Sequence, residues 1–125
     1  MKGITFDAGG LLALERNDRR VFSILYTAIE EGARILVPAT ALAQVIRNPA
    51  KQARLWWMIQ RAETELVPLE GAQAQEVGAL LAKTGTSDIA DAHVVVCARR
   101  EGFAVITSQP FDLSRLEPRL RLVAV

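Results

Sequence analysis

SDIADAHVVVCARREGFAVIT, residues 87–107, decides the fold, because it reads in two ways. Val94, Val95 and Val96 suggest a strand, since valine is a mediocre helix former. The segment is long, however. It opens on Asp88 with a second acid, Asp91, three positions on, and it closes at Gly102. An acid followed three residues later by another is a helix-start pattern, and glycine is a common helix stop. The spacing therefore predicts a helix over 88–101, followed at once by a short strand over Phe103–Thr107. A helix feeding directly into a strand is the unit from which parallel sheets are built.

The same alternation extends in both directions. Upstream, Gly71–Lys83 has helical spacing with Val77, Leu80 and Leu81 inward, and Glu65–Pro68 reads as a strand. Asn48-Pro49 looks like a helix cap followed by proline at the first helical position, opening a helix to about Arg61. Thr40–Arg47 is helical and Arg34–Val37 a short buried strand. Between Arg19 and Glu31, Phe22, Leu25, Tyr26 and Ile29 recur at helical period. Ala8–Glu15 is a first helix and Gly3–Phe6 a first strand. Downstream, Phe111–Leu116 is a short helix and Leu120–Val125 a last strand. The expected architecture is one α/β domain over 1–125, with a mainly parallel central sheet of four to five strands and helices on both faces.

Composition fits such a domain. Half of the 125 residues are hydrophobic, enough for a substantial core. Cys97 is the only cysteine, so no internal disulfide forms, which suits a reducing compartment. His93 is the only histidine, which excludes a metal site built from several imidazoles. The amino terminus lacks the apolar run of a signal peptide. Ile35–Ala43 is too short to span a bilayer, so the cytoplasm is the expected location and no membrane contact is expected. The net charge of +1 identifies no partner. Twelve arginines against three lysines give many groups suited to phosphate, although ordinary surface charge is the better explanation of them.

In parallel α/β sheets, ligands gather beyond the carboxyl ends of the strands. Four of the five aspartates fall there: Asp7 directly after the first strand, Asp88 and Asp91 at the start of the apolar helix, and Asp112 shortly after the fourth strand. Asp18 reads as loop chemistry. Asp88 and Asp91 lie on one side of their helix start, where capping accounts for them as well as ligation does. Asp7, followed by Ala8-Gly9-Gly10, is either a helix cap or a ligand. Carboxylates crowded at one edge repel one another and call for a hard cation such as Mg²⁺ or Mn²⁺. Such an ion neutralises phosphoryl oxygens and acidifies bound water, which is phosphodiester-cleaving chemistry. His93 faces away from the Asp88–Asp91 side and reads as a core or surface histidine. Cys97 reads as buried and inert. Thr107 and Ser108 have hydroxyls that suit either a turn or the orientation of a carboxylate. Trp56 and Trp57, adjacent on a helix, cannot share one core, so one of them faces solvent or a partner.

ITFDAGGLLAL, VPATALAQVIR, TSDIADAHVVVCARR and AVITSQPFDL occur in the order and spacing of PIN-domain proteins, and most resemble the VapC-type toxins of bacterial toxin–antitoxin pairs. The resemblance covers nearly the whole chain. It implies a Mg²⁺- or Mn²⁺-dependent endoribonuclease, usually a homodimer, inhibited by a small antitoxin protein. Asp7 and Asp91 match the family's metal-binding acids, Asp88 the accompanying acid one turn earlier, and Asp112 a late acid after the fourth strand. All four are the implied catalytic set. Two positions depart from the pattern. Gln44 stands where many relatives carry glutamate, and Gln109 where some carry aspartate, so two charges are missing; Glu15 is a candidate substitute for one. The rival reading is a PIN-like module with weak or no catalysis that acts by binding RNA or a protein. An aspartyl phosphatase would need an acid at Gly9, and a dinucleotide site would need G-x-G-x-x-G after the first strand. Neither is present.

Overall fold

The computed structural model describes residues 1–125. Strand β1 (Gly3–Phe6) is buried along its whole length, as a strand covered on both faces must be. Asp7 caps helix α1 (Ala8–Glu15) and Asp18 caps α2 (Arg19–Glu30). The chain continues through β2 (Arg34–Pro38), α3 (Ala39–Val45), a 3₁₀ turn (Pro49–Lys51), α4 (Ala53–Ile59) and β3 (Thr64–Val67). It then forms α5 (Gly71–Thr84), α6 (Ile89–Glu101), β4 (Ala104–Thr107), α7 (Pro110–Leu116) and β5 (Leu122–Ala124). The strands form one sheet in the order β3-β2-β1-β4-β5, and every neighbouring pair is parallel.

This topology places the sites. The order runs outward from β1 in both directions, so the carboxyl ends of β1 and β4 lie side by side. Phe6 is in register with Ile106, and the Asp7 N–H donates to the Ile106 carbonyl at 3.3 Å. Helix α6 is the valine-rich segment, and it packs against β1, β2 and β4 as well as α3, α5 and α7. From Ala90 to Ala98 every residue except Asp91 is buried. A helix enclosed on all sides takes its stability from packing, which outweighs the modest propensity of valine. Its ends carry the expected signals: Asp88 accepts from the Asp91 N–H at 2.9 Å, and Gly102 closes the helix at φ 72°.

At the opposite, amino edge of the sheet the charges are paired. Arg34 at the start of β2 holds Glu65 and Glu101, each at 2.8 Å.

Two expectations are corrected. The helix expected from Asn48-Pro49 to Arg61 is broken at Gln52, leaving the 3₁₀ turn and the shorter α4. The Asn48 side chain makes no cap bond. Instead the buried Gln52 amide donates to the Val45 carbonyl at 2.8 Å and accepts the Arg47 N–H at 3.2 Å, tying the loop back to α3. In α2 the buried stripe is Val21, Leu25 and Ala28, so Tyr26 turns outward and is 51 % exposed.

Candidate active site

Asp7 is placed by two glycines. A Cβ on Gly10 would run into the carbonyl of Ile106, and one on Gly9 into Ser108. Only without those side chains does α1 start directly against the end of β4. The Asp7 carboxylate, 3 % exposed, accepts the Gly10 N–H at 2.7 Å. Burial pushes its pKa up; hydrogen bonding from the Thr107 hydroxyl and from the Gly10 and Gly9 amides opposes the rise. Thr107 also accepts the Gln109 N–H at 2.9 Å, which fixes both the turn after β4 and the hydroxyl beside Asp7.

Asp91, half-buried one turn into α6, is pushed up to about 6. Burial is the largest cause, followed by the negative charges of Asp88, Asp7 and Asp112. Carboxylates from the end of β1, the start of α6 and α7 therefore lie close enough for Asp91 to feel their charge at one edge of the sheet. None of the four forms an ion pair. Asp88, Asp91 and Asp112 line a cavity of about 290 Å³ together with Thr86, Ser87, Arg115 and Leu116.

The other candidates fall elsewhere. Gln44 lines a neighbouring cavity with Thr40, Ala43, Ile89 and Ala90, and the two cavities share only Ser87 and Asp88. Gln109 is exposed at the turn into α7. The carbonyl of Glu15 accepts from Arg54 at 3.2 Å, on the side where Arg54, Phe22, Tyr26 and Trp57 meet. His93 is a core residue: its Nδ1 lies 2.7 Å from the Thr40 hydroxyl, and burial lowers its pKa. Burial pushes the Cys97 thiol up to about 11, leaving it protonated and unreactive. Arg115 is the site residue that the sequence reading missed. Its signal was the spacing of three from Asp112 on a short helix, which puts both on one side.

The carboxylates suit a hard divalent cation in charge and donor type. No three acidic, histidine or cysteine side chains meet as a ready-made cage. The arrangement therefore fits an ion held by few protein ligands that keeps several waters, as Mg²⁺ commonly does.

A parallel α/β sheet with unpaired aspartates at the carboxyl edge defines a class of proteins suited to phosphodiester chemistry. The PIN domain family model matches residues 4–116, and the chain belongs to that family. PIN domains are generally nucleases. Among solved structures, VapBC2 from Rickettsia felis, bound to a DNA fragment from its promoter, is similar over 98 % of each chain, with TM-score 0.73 and 15 % identity. PAE2754 from Pyrobaculum aerophilum matches 97 % of this chain and 83 % of its own, with TM-score 0.66 and 14 % identity. FitAcB from Neisseria gonorrhoeae matches 95 % of each chain, with TM-score 0.59 and 15 % identity. At these identities the likeness is one of fold. Comparison with curated proteins gives no match. No helix is long and apolar enough to cross a membrane.

Proposed function

We propose that this PIN domain is a divalent-metal-dependent endoribonuclease and the toxin of a toxin–antitoxin pair. The observation that carries the reading is the gathering of Asp7, Asp88 and Asp112 around Asp91, whose carboxyl is pushed up to about 6 by burial first and by those three negative charges second. Asp7 and Asp91 would hold Mg²⁺ or Mn²⁺, with Asp88 and Asp112 adding charge and accepting hydrogen bonds from ordered water. When bound, such an ion neutralises phosphoryl charge and lowers the pKa of water. The protein's own contribution is positioning. Thr107 and the Gly10 amide fix the Asp7 carboxylate, and the α6 cap fixes Asp88 against the backbone of Asp91.

The test is cleavage of RNA by purified protein in Mn²⁺ or EDTA, with Asp7→Asn and Asp91→Asn alongside. Asparagine still caps α1 at position 7, so that variant should stay folded. Each substitution should reduce cleavage at least a hundredfold and remove toxicity on expression. Retained cleavage in either variant would defeat the assignment.

A second reading draws support from Gln44 and Gln109 and from the absence of a closed carboxylate cage: a PIN module that binds RNA or a protein without cutting. Metal-independent binding with no cleavage under any metal would select it.

The toxin reading also calls for a homodimer and an antitoxin. Phe22, Tyr26 and Trp57 pack into one cluster in tilted and edge-on contacts, with ring centroids 5.7–6.5 Å apart, and line a groove of about 620 Å³ with Arg19 and Arg54. Exposed aromatics beside arginines are the composition of a protein-binding surface.

A further inference from the structure

Helix α7 is fixed by its inward side, where Leu113 and Leu116 are buried in the core. Its outward side carries Phe111, Asp112 and Arg115. Phe111 is 85 % exposed, the most exposed large hydrophobic side chain in the protein, and no other aromatic ring packs on it. Arg115 follows four residues later, so the ring and the guanidinium lie on the same side of the helix. Arg115 is the only basic residue lining the acidic cavity, and it forms no ion pair despite the aspartates around it. One short helix thus carries a bare aromatic ring, a free guanidinium and Asp112, which with Arg115 lines the cavity that Asp88 and Asp91 of α6 also line.

We propose that Phe111 and Arg115 form a nucleotide platform at the rim of the acidic cavity. The Phe111 ring stacks on an unpaired base, and Arg115 contacts the adjoining phosphate. The inference rests on the nuclease reading and assigns two further residues that would position the substrate beside the cavity. The chemistry of the two groups carries it. An aromatic face stacks on any base, but only on one that is not already stacked within a duplex. A cation held by the carboxylates would neutralise only the phosphate at the reacting centre; an adjoining phosphate needs a positive contact from the protein, and Arg115 is the one basic side chain in the cavity wall. A protein partner fits less well. Phe111 stands alone, with no other aromatic ring packed on it and with the charged Asp112 and Arg115 on the same outward side, so it lacks the apolar surround that excludes water from a protein hot spot. The Phe22–Tyr26–Trp57 groove provides such a surround elsewhere.

The test is fluorescence anisotropy of a labelled oligoribonucleotide, single-stranded or folded as a blunt duplex, with the full chain in Ca²⁺ to hold back cleavage. Phe111→Ala, Phe111→Trp and Arg115→Ala are compared with the wild type, and circular dichroism confirms that each is folded. Phe111→Ala should weaken single-strand binding roughly tenfold or more, and Phe111→Trp should restore it. Duplex binding should be weak in all the proteins. Arg115→Ala should lower the dependence of log K on log salt by about one phosphate contact. Mn²⁺ titration by calorimetry should be unchanged in Phe111→Ala. Single-strand binding that is absent in the wild type, or equal in wild type and Phe111→Ala, overturns the platform. So does a Phe111→Ala effect confined to protein association. Phe111-dependent binding by a wild type that never cleaves in Mn²⁺ leaves the platform standing and removes the nuclease reading instead.

Discussion

At the residue scale the decisive group is Asp91, whose ordinary value of 3.8 is pushed up to about 6 by burial and three neighbouring carboxylates. For an acid, a raised folded-state pKa means that the folded protein keeps a proton the unfolded chain has already released. Stability from this group is therefore greatest below pH 3.8, falls as pH rises, and is at its lowest above about 6. Asp91→Asn removes the charge that the metal-free fold tolerates poorly. The variant should be more stable than the wild type at pH 7.5 in EDTA by about 1 kcal/mol, a rise of roughly 3–5 °C in Tm. The gain should disappear at pH 3.5. Thermal melts at the two pH values check this, and an equal or lower Tm at pH 7.5 would count against the crowding of charge. The same proton competes with a cation, so Mn²⁺ affinity should climb as pH rises through 6. Metal binding should be weak, and better with Mn²⁺ than with Mg²⁺, because ligand charge supplies most of the affinity and two acids of the family pattern are amides here. Gln109→Asp, at the turn after β4 whose N–H is anchored on the same Thr107 that serves Asp7, should tighten Mn²⁺ binding. Gln44→Glu should change it less, since Gln44 faces the neighbouring cavity and shares only Ser87 and Asp88 with the site. Calorimetric titration of both variants decides; no tightening in Gln109→Asp would place that position outside the site.

At the scale of the element, the junction of β1, α1 and β4 holds the site together, and glycine makes it possible. Alanine is the better helix former, so Gly→Ala inside a helix ordinarily adds about 0.5–1 kcal/mol of stability. Gly78, in α5 with open space around its Cα, should behave that way. Gly10 should do the opposite, losing about 1–3 kcal/mol, because its Cβ would strike the backbone carbonyl of Ile106, which cannot move without breaking the sheet. Chemical denaturation of both variants should give opposite signs, and a stabilised Gly10→Ala would show that α1 does not seat on β4 as described. The contrast also shows what a sequence can convey. Gly3–Phe6 as the first strand and the caps at Asp88 and Gly102 were legible, because local chemistry and periodicity agree there. The parallel direction of the strands follows from their alternation with helices, and the edge at which the aspartates gather follows from that direction, whereas the order β3-β2-β1-β4-β5 was not read from the sequence. The break at Gln52 was not legible, because it depends on a buried amide reaching back to Val45 and Arg47. Neither was the outward turn of Tyr26, since Phe22, Leu25, Tyr26 and Ile29 make a wider apolar stripe than the core needs. Arg115 was overlooked because, among twelve arginines, its spacing of three from Asp112 is a weak mark; the cavity wall is what distinguishes it.

At the scale of the whole molecule, the surplus of that apolar stripe becomes a surface. Phe22 and Tyr26 on α2 meet Trp57 on α4, with Arg61 5.3 Å from the Trp57 ring, and Arg19 and Arg54 complete the groove. Trp56, half-buried beside Trp57, turns elsewhere, as two adjacent residues on a helix must. The groove's lining and that of the acidic cavity have no residue in common. A partner seated here can therefore be tested separately from catalysis. Its chemistry follows from the lining: an apolar segment to cover the rings, flanked by acidic residues facing Arg19 and Arg54. A toxin reading makes that segment part of the antitoxin, or of a second copy of this chain. Trp57, 38 % exposed, contributes little to the core, so Trp57→Ala should lower Tm only slightly. If the ring anchors the partner, the same change should weaken association by about 2 kcal/mol, some thirtyfold, because buried tryptophans dominate protein interfaces. Metal-dependent cleavage by the free protein should be unaffected. Sedimentation of the chain alone, followed by tryptophan fluorescence during titration with the cognate antitoxin, separates the occupants. A dimer lost in Trp57→Ala assigns the groove to self-association. A dimer that persists, with the fluorescence change and the affinity both lost, assigns it to the antitoxin. Wild-type dimerisation and antitoxin affinity in Trp57→Ala would show that neither partner uses the groove.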